Sequence, residues 1–387
     1  MNPKFLSQKY TEIPVSLFEK CAVKGREYKD LINFTIGDPD FHTDQRIIEA
    51  AFADAKKGHT HYTSYSGDAE LIAEIGKFYQ EEYGYTVGKD ETLIVAGGSQ
   101  GLYLALAAIL DQGDEVIYHE PCYMPYPIDI EMAGGKPVVL PTYEEENFQI
   151  DPRRLEALIT DRTKALIINT PGNPTGVCFT RETFEEIARI AKKYDLIILA
   201  DDIYTLYSYA EPFLPITTLE GMRERTVTIS SFSKDFAMPG WRVGYTLAPD
   251  YITSTMRYIM LCNTFCASSV SQRAALHALR MRKEIQPALV EEFKKRTFYA
   301  YERITKMPNM SILPPQGAIY QFINISQTGL KSVEVHQKIL DEAHVLVLPG
   351  LAFGACGDNH IRIALTMKVE IMKEAFDRIA KMRLFSC

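Results

Sequence analysis

The segment Ser231-Phe232-Ser233-Lys234, followed by Arg242, brings together residue types that could carry out carbonyl and phosphate chemistry. A lysine between hydroxyls and a guanidinium is poorly solvated for its charge, which lowers its pKa and frees the amine to attack a carbonyl. Serine hydroxyls and the planar arginine fork also bind phosphate oxygens. A Schiff-base lysine next to a phosphate site predicts pyridoxal phosphate as the cofactor.

A glycine-rich turn at 97–101, Gly-Gly-Ser-Gln-Gly, offers a competing chemistry. It matches G-x-S-x-G between a predicted strand and a predicted helix, the context of a hydrolase nucleophile elbow. Ser99 would then be the nucleophile, with Asp201 and either His344 or His360 as later partners. The same turn could instead cradle a phosphate at a helix N-terminus, or be purely structural.

The residues from Ser231 to Lys234 also match S-x-x-K of penicillin-binding enzymes, in which Ser231 would be the nucleophile. The partner motifs of those enzymes, S-D-N and K-T-G, are absent from the sequence, so we exclude this interpretation. A solvated loop lysine is the ordinary alternative for Lys234, and the neighbouring hydroxyls and Arg242 count against it.

Three further segments place polar side chains after predicted strands. Segment 169–176, Asn-Thr-Pro-Gly-Asn-Pro-Thr-Gly, is a rigid loop in which Asn173 needs polar partners, and such loops bind ligands in α/β proteins. Asp201 ends another apolar run, where its carboxylate could keep a pyridine nitrogen protonated. Tyr204 could hydrogen-bond the ring hydroxyl, and Tyr123, which follows a third strand, could stack on the ring.

Arg362 lies inside the apolar run 360–365, where an unpaired charge would be costly. Its planar fork suits a substrate carboxylate. A structural ion pair is the alternative, and the sequence does not decide between the two.

Short apolar runs alternate with amphipathic helical segments, the pattern of an α/β protein with a mostly parallel sheet covered by helices on both faces. Helix 181–193, with Thr180 as its N-cap, is predicted to cross between two strands. Seven runs are predicted to form the sheet: 93–96, 115–118, 137–140, 165–169, 196–200, 226–230 and 243–247.

The C-terminal part of the chain predicts a second, smaller unit. A continuous helical pattern runs from about residue 268 to about residue 306. Three strands follow, at 319–325, 345–348 and 361–364. With the N-terminal segment, these elements are predicted to form a small α+β domain, residues 1–44 and 281–387, beside a large cofactor-binding domain, residues 45–280.

Charge and composition limit the possible partners. The chain of 387 residues has a net charge of −8 and no basic run, which argues against a nucleic-acid partner. Residues 1–16 lack the apolar core of a signal peptide, and the uncharged stretch 92–110 contains the glycine-rich turn, so we predict no leader and no membrane span. Seven cysteines without a C-x-x-C pair indicate unpaired thiols in a reducing, cytoplasmic setting and no metal site.

In their order, these motifs resemble those of the class I and II aminotransferases, the aspartate-aminotransferase-like pyridoxal phosphate enzymes of fold type I. The resemblance covers nearly the whole chain and rests on Ser-Phe-Ser-Lys with its following arginine, Asn-x-Pro-x-Asn-Pro-Thr-Gly and Asp-x-x-Tyr. It implies transfer of an amino group between an L-amino acid and a 2-oxo acid by a ping-pong mechanism. Lys234 would form the Schiff base with pyridoxal 5'-phosphate and move the proton.

The resemblance also implies a role for each candidate residue. Asp201 matches the partner of the pyridine nitrogen, and Asn173 and Tyr204 match the ligands of the ring hydroxyl. Tyr123 matches the aromatic residue that stacks on the ring. The phosphate cup would be formed by Gly98, Ser99, Gln100, Ser231 and Arg242.

Substrate and subunit contacts follow from the same resemblance. Arg362 matches the arginine that binds the α-carboxylate, and Gly37 a backbone contact beside it. Tyr62, with Tyr65 as the alternative, resembles a tyrosine that reaches the phosphate of the neighbouring subunit, which implies a homodimer with shared sites. Related carbon–sulfur lyases tend to have histidine where this chain has Gly172, which favours transamination. The donor stays open, although no cation in the glycine-rich turn could bind the second carboxylate of an aspartate-type donor.

Overall fold

The computed structural model describes residues 3–5, 7 and 16–386. Most of the stretch in which we predicted no leader lies outside these residues. The described residues form thirteen α-helices: α1 (Leu17–Gly25), α2 (Gln45–Lys56), α3 (Ala69–Tyr83), α4 (Gly98–Ile109), α5 (Pro125–Met132), α6 (Pro152–Leu158), α7 (Arg181–Tyr194), α8 (Phe232–Asp235), α9 (Asp250–Asn263), α10 (Ser269–Arg280), α11 (Arg282–Ile304), α12 (Ser332–Ala343) and α13 (Val369–Ile379). They also form twelve strands: β1 (Ile32–Asn33), β2 (Thr92–Val95), β3 (Glu115–Glu120), β4 (Lys136–Pro141), β5 (Thr163–Asn169), β6 (Ile197–Asp201), β7 (Thr226–Ser231), β8 (Gly244–Leu247), β9 (Tyr320–Asn324), β10 (Val345–Leu346), β11 (Leu348–Pro349) and β12 (His360–Ala364).

Strands β2 to β8 form one seven-stranded sheet in the order β2-β8-β7-β6-β5-β3-β4. Strand β8 runs antiparallel to both of its neighbours, and the other pairs are parallel. The prediction of a mostly parallel seven-stranded sheet is therefore confirmed. Because parallel strands end at the same edge of a sheet, Asn169, Asp201 and Ser231, the last residues of β5, β6 and β7, lie along one edge.

Helices cover both faces of this sheet. Along β5, Ala165 and Ile167 pack into one buried cluster, whereas Leu166 and Ile168 pack into a second cluster on the opposite face. Helix α7 belongs to the second cluster and confirms the predicted crossover helix. Its N-cap Thr180 accepts a hydrogen bond from the N–H three residues on, at 3.2 Å.

The uncharged stretch 92–110 forms β2, the glycine-rich turn and α4, as predicted. β2 is buried along its whole length and α4 buries much of its surface, which accounts for their lack of charge. None of the helices in the described part of the chain is long and apolar enough to cross a bilayer.

The helical pattern predicted for 268–306 is interrupted at Met281, which separates α10 from α11. The N–H of Met281 bonds back to carbonyls in the last turn of α10. The next side chain, Arg282, is buried and pairs with Glu81 on α3. This contact with a distant helix lies at the point where α10 ends and α11 begins. The periodicity of the segment does not encode it.

The C-terminal elements form two small sheets. Strands β11, β12 and β9 are antiparallel in that order, and β1 pairs in parallel with β10, so the strand predicted at 345–348 is divided into β10 and β11. A buried cluster joins Ile32 and Phe34 to residues of α11, α12 and α13. The N-terminal segment therefore packs on the C-terminal elements, and the domain boundaries given above stay a prediction.

Candidate active site

A cavity of about 520 Å³ opens at the carboxyl edge of the central sheet. Its walls come from the ends of β5, β6 and β7, the first turn of α4, the segment after β1, and strands β9 and β12. Eleven of the predicted site residues line it: Gly37, Gly98, Ser99, Tyr123, Asn173, Asp201, Tyr204, Ser231, Lys234, Arg242 and Arg362. Two predicted residues, Gln100 and Tyr62, do not.

Lys234 lies in α8, a single helical turn directly after β7. Its side-chain nitrogen donates a hydrogen bond of 2.5 Å to the carbonyl of Gly37. Tyr207 fixes the backbone at this point by donating to the carbonyl of Lys234 at 2.9 Å. Among the described residues no carboxylate forms an ion pair with this amine, so the cavity holds it through a neutral acceptor.

The first turn of α4 and Arg242 lie together at one end of the cavity. Gly97 caps the helix with φ +88°, and the first N–H bonded within the helix is that of Gly101, so the N–H groups of residues 98–100 need other acceptors. The guanidinium of Arg242 lies against Gly97, where a Cβ would come within 2.7 Å of it. Ser231, which caps α8, adds a hydroxyl to the same wall. Free N–H groups and a guanidinium at a helix N-terminus suit a phosphate.

The side chain of Gln100 is hydrogen-bonded outside the cavity. Its carbonyl oxygen accepts from the N–H of Ala96 at 2.6 Å, and its amide nitrogen donates to the hydroxyl of Thr264 at 2.7 Å. Only its backbone N–H remains for a phosphate. The alternation of helix positions around an N-terminal turn explains why its side chain and that of Ser99 face different surroundings.

Tyr62 lies outside the cavity on the surface. Its side chain is 83% exposed, and its ring lies 4.9 Å from that of Phe265. The loop that carries it is held by the fully buried Gln272, which accepts from the N–H of Asp68 at 2.6 Å and donates to Thr63 at 3.0 Å. The contacts within one chain show no function for the exposed ring of Tyr62. Its role towards a second subunit stays a prediction.

Asp201 is a buried carboxylate with one unused oxygen. Tyr126 donates to its Oδ2 at 2.5 Å, whereas its Oδ1 has no hydrogen-bond partner among the described residues. Burial raises the pKa of Asp201 to about 6, although the hydrogen bond from Tyr126 by itself lowers this pKa. An unpaired acceptor in a dry cavity wall suits a cationic N–H donor, such as a protonated ring nitrogen.

Asn169 joins the neighbouring parts of this wall. Its amide donates to the carbonyl of Asp201 at 2.8 Å, and its oxygen accepts from the N–H of Asn173 at 2.8 Å. Across the cavity, the hydroxyl of Tyr204 lies 3.0 Å from the hydroxyl of Tyr320. Burial raises the pKa of Tyr204 well above its usual value, which keeps this phenol protonated.

Arg362 is buried on β12 and has no carboxylate partner among the described residues. One nitrogen donates to the carbonyl of Thr35, a second lies 3.4 Å from the side-chain oxygen of Asn173, and Nε has no partner. The guanidinium lies over the rings of Tyr320, at 4.6 Å, and Phe353, at 5.1 Å. Burial lowers the pKa of Arg362. The structural ion pair is thereby excluded within the described chain, and a fork for an incoming carboxylate remains.

The geometry does not assemble a hydrolase triad around Ser99. His344 pairs with Asp30 at 2.7 Å on the surface, and His360 pairs with Glu144 at 3.1 Å. Asp201 is bonded to Tyr126 and not to a histidine. A serine nucleophile needs a base within hydrogen-bond reach, so this alternative is not favoured.

Sequence reasoning missed Tyr126, Asn169 and Tyr320. Tyr126 could have been found, because it lies three positions after Tyr123, in the first turn of α5. Residues three positions apart around a helical turn face the same side of that turn. The sequence marks Asn169 only as the first residue of the loop 169–176. No local signal marks Tyr320, because its contacts are to residues distant in sequence, such as Tyr204 and Arg362.

Comparison with known proteins gives a consistent result. Residues 29–379 match the family model described as "Aminotransferase class I and II". The chain is 36% identical to the aromatic-amino-acid aminotransferase 2 of Thermococcus litoralis over 97% of both sequences. It is 37% identical to the aspartate aminotransferase of Pyrococcus abyssi, over 91% of this chain and 92% of the relative. The solved structure of an aspartate aminotransferase double mutant from Thermus thermophilus superimposes with a TM-score of 0.93, at 32% identity, over 97% and 99% of the two chains.

Proposed function

The chain belongs to the class I and II aminotransferases, and from this premise we propose which of its residues transfer an amino group between an L-amino acid and a 2-oxo acid. Enzymes of this family use pyridoxal 5'-phosphate, which when bound supplies an electron sink beside the carbon that loses its proton. One observation carries the proposal. A single cavity brings together an amine, a carboxylate oxygen and a guanidinium that have no ionic partner in the described chain.

The cavity fits the cofactor group by group. The free N–H groups of α4, the hydroxyl of Ser231 and Arg242 would hold the phosphate. The unused oxygen of Asp201 would accept from the protonated ring nitrogen. The ring hydroxyl would be bound by Asn173 and Tyr204, and the ring face would be covered by Tyr123.

Each reacting step is assigned to a residue of this chain. Lys234 carries the amine that would bind the cofactor and move the proton at the α-carbon. Its hydrogen bond to the carbonyl of Gly37 helps to position this amine. Arg362 binds the α-carboxylate and so fixes the orientation of the α-carbon. Since one carboxylate fork must serve the amino acid and then the 2-oxo acid, the two bind in turn, which gives ping-pong kinetics. The carbon–sulfur lyase alternative is not favoured.

The cavity walls favour a donor with an uncharged, apolar side chain. Its described lining contains three cations, Lys234, Arg242 and Arg362, and each is assigned a role above. Phe18, Met124 and Phe353 form an apolar wall that is part of one hydrophobic cluster. Asp38, which also lines the cavity, would repel a second carboxylate. Within one chain aspartate would thus lack a partner for its side chain, whereas phenylalanine would bury an apolar ring.

A homodimer and a cytoplasmic location complete the proposal. The exposed ring of Tyr62 and its anchored loop support a contact with the phosphate site of a second copy. The free thiols of Cys21 and Cys122, both buried, suit a reducing compartment.

A donor panel tests the proposal. The holoenzyme is mixed with single L-amino acids, and the change in visible absorbance gives the rate of each half-reaction. We expect phenylalanine to exceed aspartate in kcat/KM by about 100-fold. Replacing the half-exposed Ile36 of the cavity by arginine should shift preference towards aspartate, whereas Val333→Arg, on the outer helix α12, should not. Faster reaction with aspartate would refute the donor class, and no response to any amino acid would refute the reaction.

A further inference from the structure

Tyr320 lies where the cofactor side and the substrate side of the cavity meet. It is the first residue of β9 and is buried, with 4% of its surface exposed. Its hydroxyl lies 3.0 Å from that of Tyr204, and its ring lies 4.6 Å below the guanidinium of Arg362. The hydroxyl also packs on Gly37, where a Cβ would come within 2.0 Å of it. A single phenol therefore contacts three of the assigned site residues.

Either hydroxyl could donate in the hydrogen bond between the two phenols, and the charge of Arg362 favours one direction. A cation over a ring face interacts favourably with the π-electrons and more strongly with a phenolate, so it makes the O–H of Tyr320 the better donor. Within the described chain the hydroxyl of Tyr320 has no hydrogen-bond partner other than Tyr204. When Tyr320 donates, the proton of Tyr204 is left free to point into the cavity.

We propose that Tyr320 is a positioning residue that couples carboxylate binding at Arg362 to the hydrogen bond that Tyr204 donates to the ring oxygen of the cofactor. The coupling rests on the proposed function. A carboxylate bound to Arg362 neutralises the cation over the ring, which weakens the donation from Tyr320 and then that from Tyr204. A weaker hydrogen bond would leave more negative charge on the ring oxygen. An occupied substrate site would thus raise the proton affinity of the group formed by Lys234 and the cofactor.

The experiment is a pH titration of the visible absorbance of the holoenzyme, with and without 3-phenylpropionate as a carboxylate probe. In the wild type we expect the probe to raise the midpoint pH. Tyr320→Phe, which keeps the ring and removes the hydroxyl, should raise the midpoint by about 0.5 in the absence of probe and reduce the probe-induced shift. The part that remains would pass through Asn173, which also contacts Arg362. In a Tyr204→Phe background, Tyr320→Phe should add nothing, because its effect passes through Tyr204.

Tyr209→Phe is the matched control. Tyr209 packs in the same cluster, and the substitution removes its hydrogen bond of 2.9 Å to the carbonyl of Ala318, but among the described residues it is hydrogen-bonded to neither Tyr204 nor Tyr320. It should leave the titration unchanged. If Tyr320→Phe does not fold, Arg362→Gln tests the coupling from the other end and should raise the midpoint without probe.

The outcomes separate the coupling from the proposed function. An unchanged midpoint in Tyr320→Phe, or shifts that add in the double variant, would overturn the coupling while the holoenzyme still titrates. A wild-type protein without a visible band that depends on Lys234 would instead overturn the proposed function.

Discussion

The side-chain nitrogen of Lys234 donates to the backbone carbonyl of Gly37, across 197 positions of sequence. This contact ties the turn after β7 to the segment after β1. Tyr320 closes over the same glycine, so that no side chain fits at position 37. The position of the amine therefore depends on a residue that has no side chain of its own.

Gly37→Ala should impair both the site and the fold. The added Cβ would overlap the buried hydroxyl of Tyr320, which must move or push the segment away from Lys234. We expect kcat/KM to fall by about 10- to 100-fold and the free energy of unfolding by about 1–3 kcal/mol. Steady-state kinetics and urea unfolding measure the two effects. Gly76→Ala inside α3, where the Cβ makes ordinary contact at 3.5 Å, should leave kcat/KM unchanged and should not lower the free energy of unfolding, because alanine favours a helix. Equal losses in both variants would contradict the argument.

Asp201→Asn should stabilise the cofactor-free protein above pH 6. Burial raises the pKa of this carboxyl from 3.8 to about 6. The folded protein then binds the proton more tightly than the unfolded chain, so the contribution of Asp201 to stability falls as the pH rises from about 4 to about 6. About two pH units correspond to about 3 kcal/mol, which the neutral amide would recover.

Urea unfolding of the cofactor-free wild type and Asp201→Asn as a function of pH measures this difference. The two curves should converge below pH 4. Because the charge of Asp201 also raises the pKa of its neighbour Asp202, the substitution relieves this repulsion as well, which adds to the stabilisation at higher pH. The same variant should lose cofactor affinity and activity. A wild type that is more stable than the variant at pH 8 would disprove the assignment.

Arg362→Lys should weaken substrate binding with little cost to stability. Lysine keeps the charge but loses the planar fork, so we expect kcat/KM to fall by about 30- to 150-fold, which corresponds to about 2–3 kcal/mol of lost binding energy. The loss should be the same for the amino acid and for its 2-oxo acid, since both carry the α-carboxylate. Because no described carboxylate pairs with Arg362, thermal unfolding of the cofactor-free protein should change little. An unfolded variant, or an unchanged KM, would contradict the role.

Mixing two inactive variants tests the shared site. If Tyr62 acts on the neighbouring subunit, a dimer of Lys234→Ala and Tyr62→Ala chains contains one site with both intact residues. We expect activity to appear after the two variants are unfolded together and refolded, but not when each is refolded alone. The control is Tyr194→Ala, which changes a surface tyrosine on α7. Refolded in the same way, it shows how much activity survives the refolding itself. Absence of recovery, in a mixture shown to contain mixed dimers, would assign Tyr62 to its own chain or to no site.

The sequence predicted those parts of the fold and site that are encoded locally. Strands β2 to β8 were visible as apolar runs, and residues at their carboxyl ends, such as Asp201, had to meet at one edge. The interruption at Met281 was not predicted, because it coincides with a contact between Arg282 and α3. Likewise, the outward turn of Gln100 and the contacts of Tyr320 depend on residues brought close by the fold.

The most direct test of the account is the covalent bond between Lys234 and the cofactor. Treatment of the holoenzyme with borohydride reduces a carbon–nitrogen double bond to a stable single bond, and mass spectrometry of the peptides then locates it. We predict that the reduced cofactor is found on Lys234 alone, and that no peptide carries it in Lys234→Ala. Its appearance on another lysine, or the absence of any modified peptide from a protein with bound cofactor, would contradict the account.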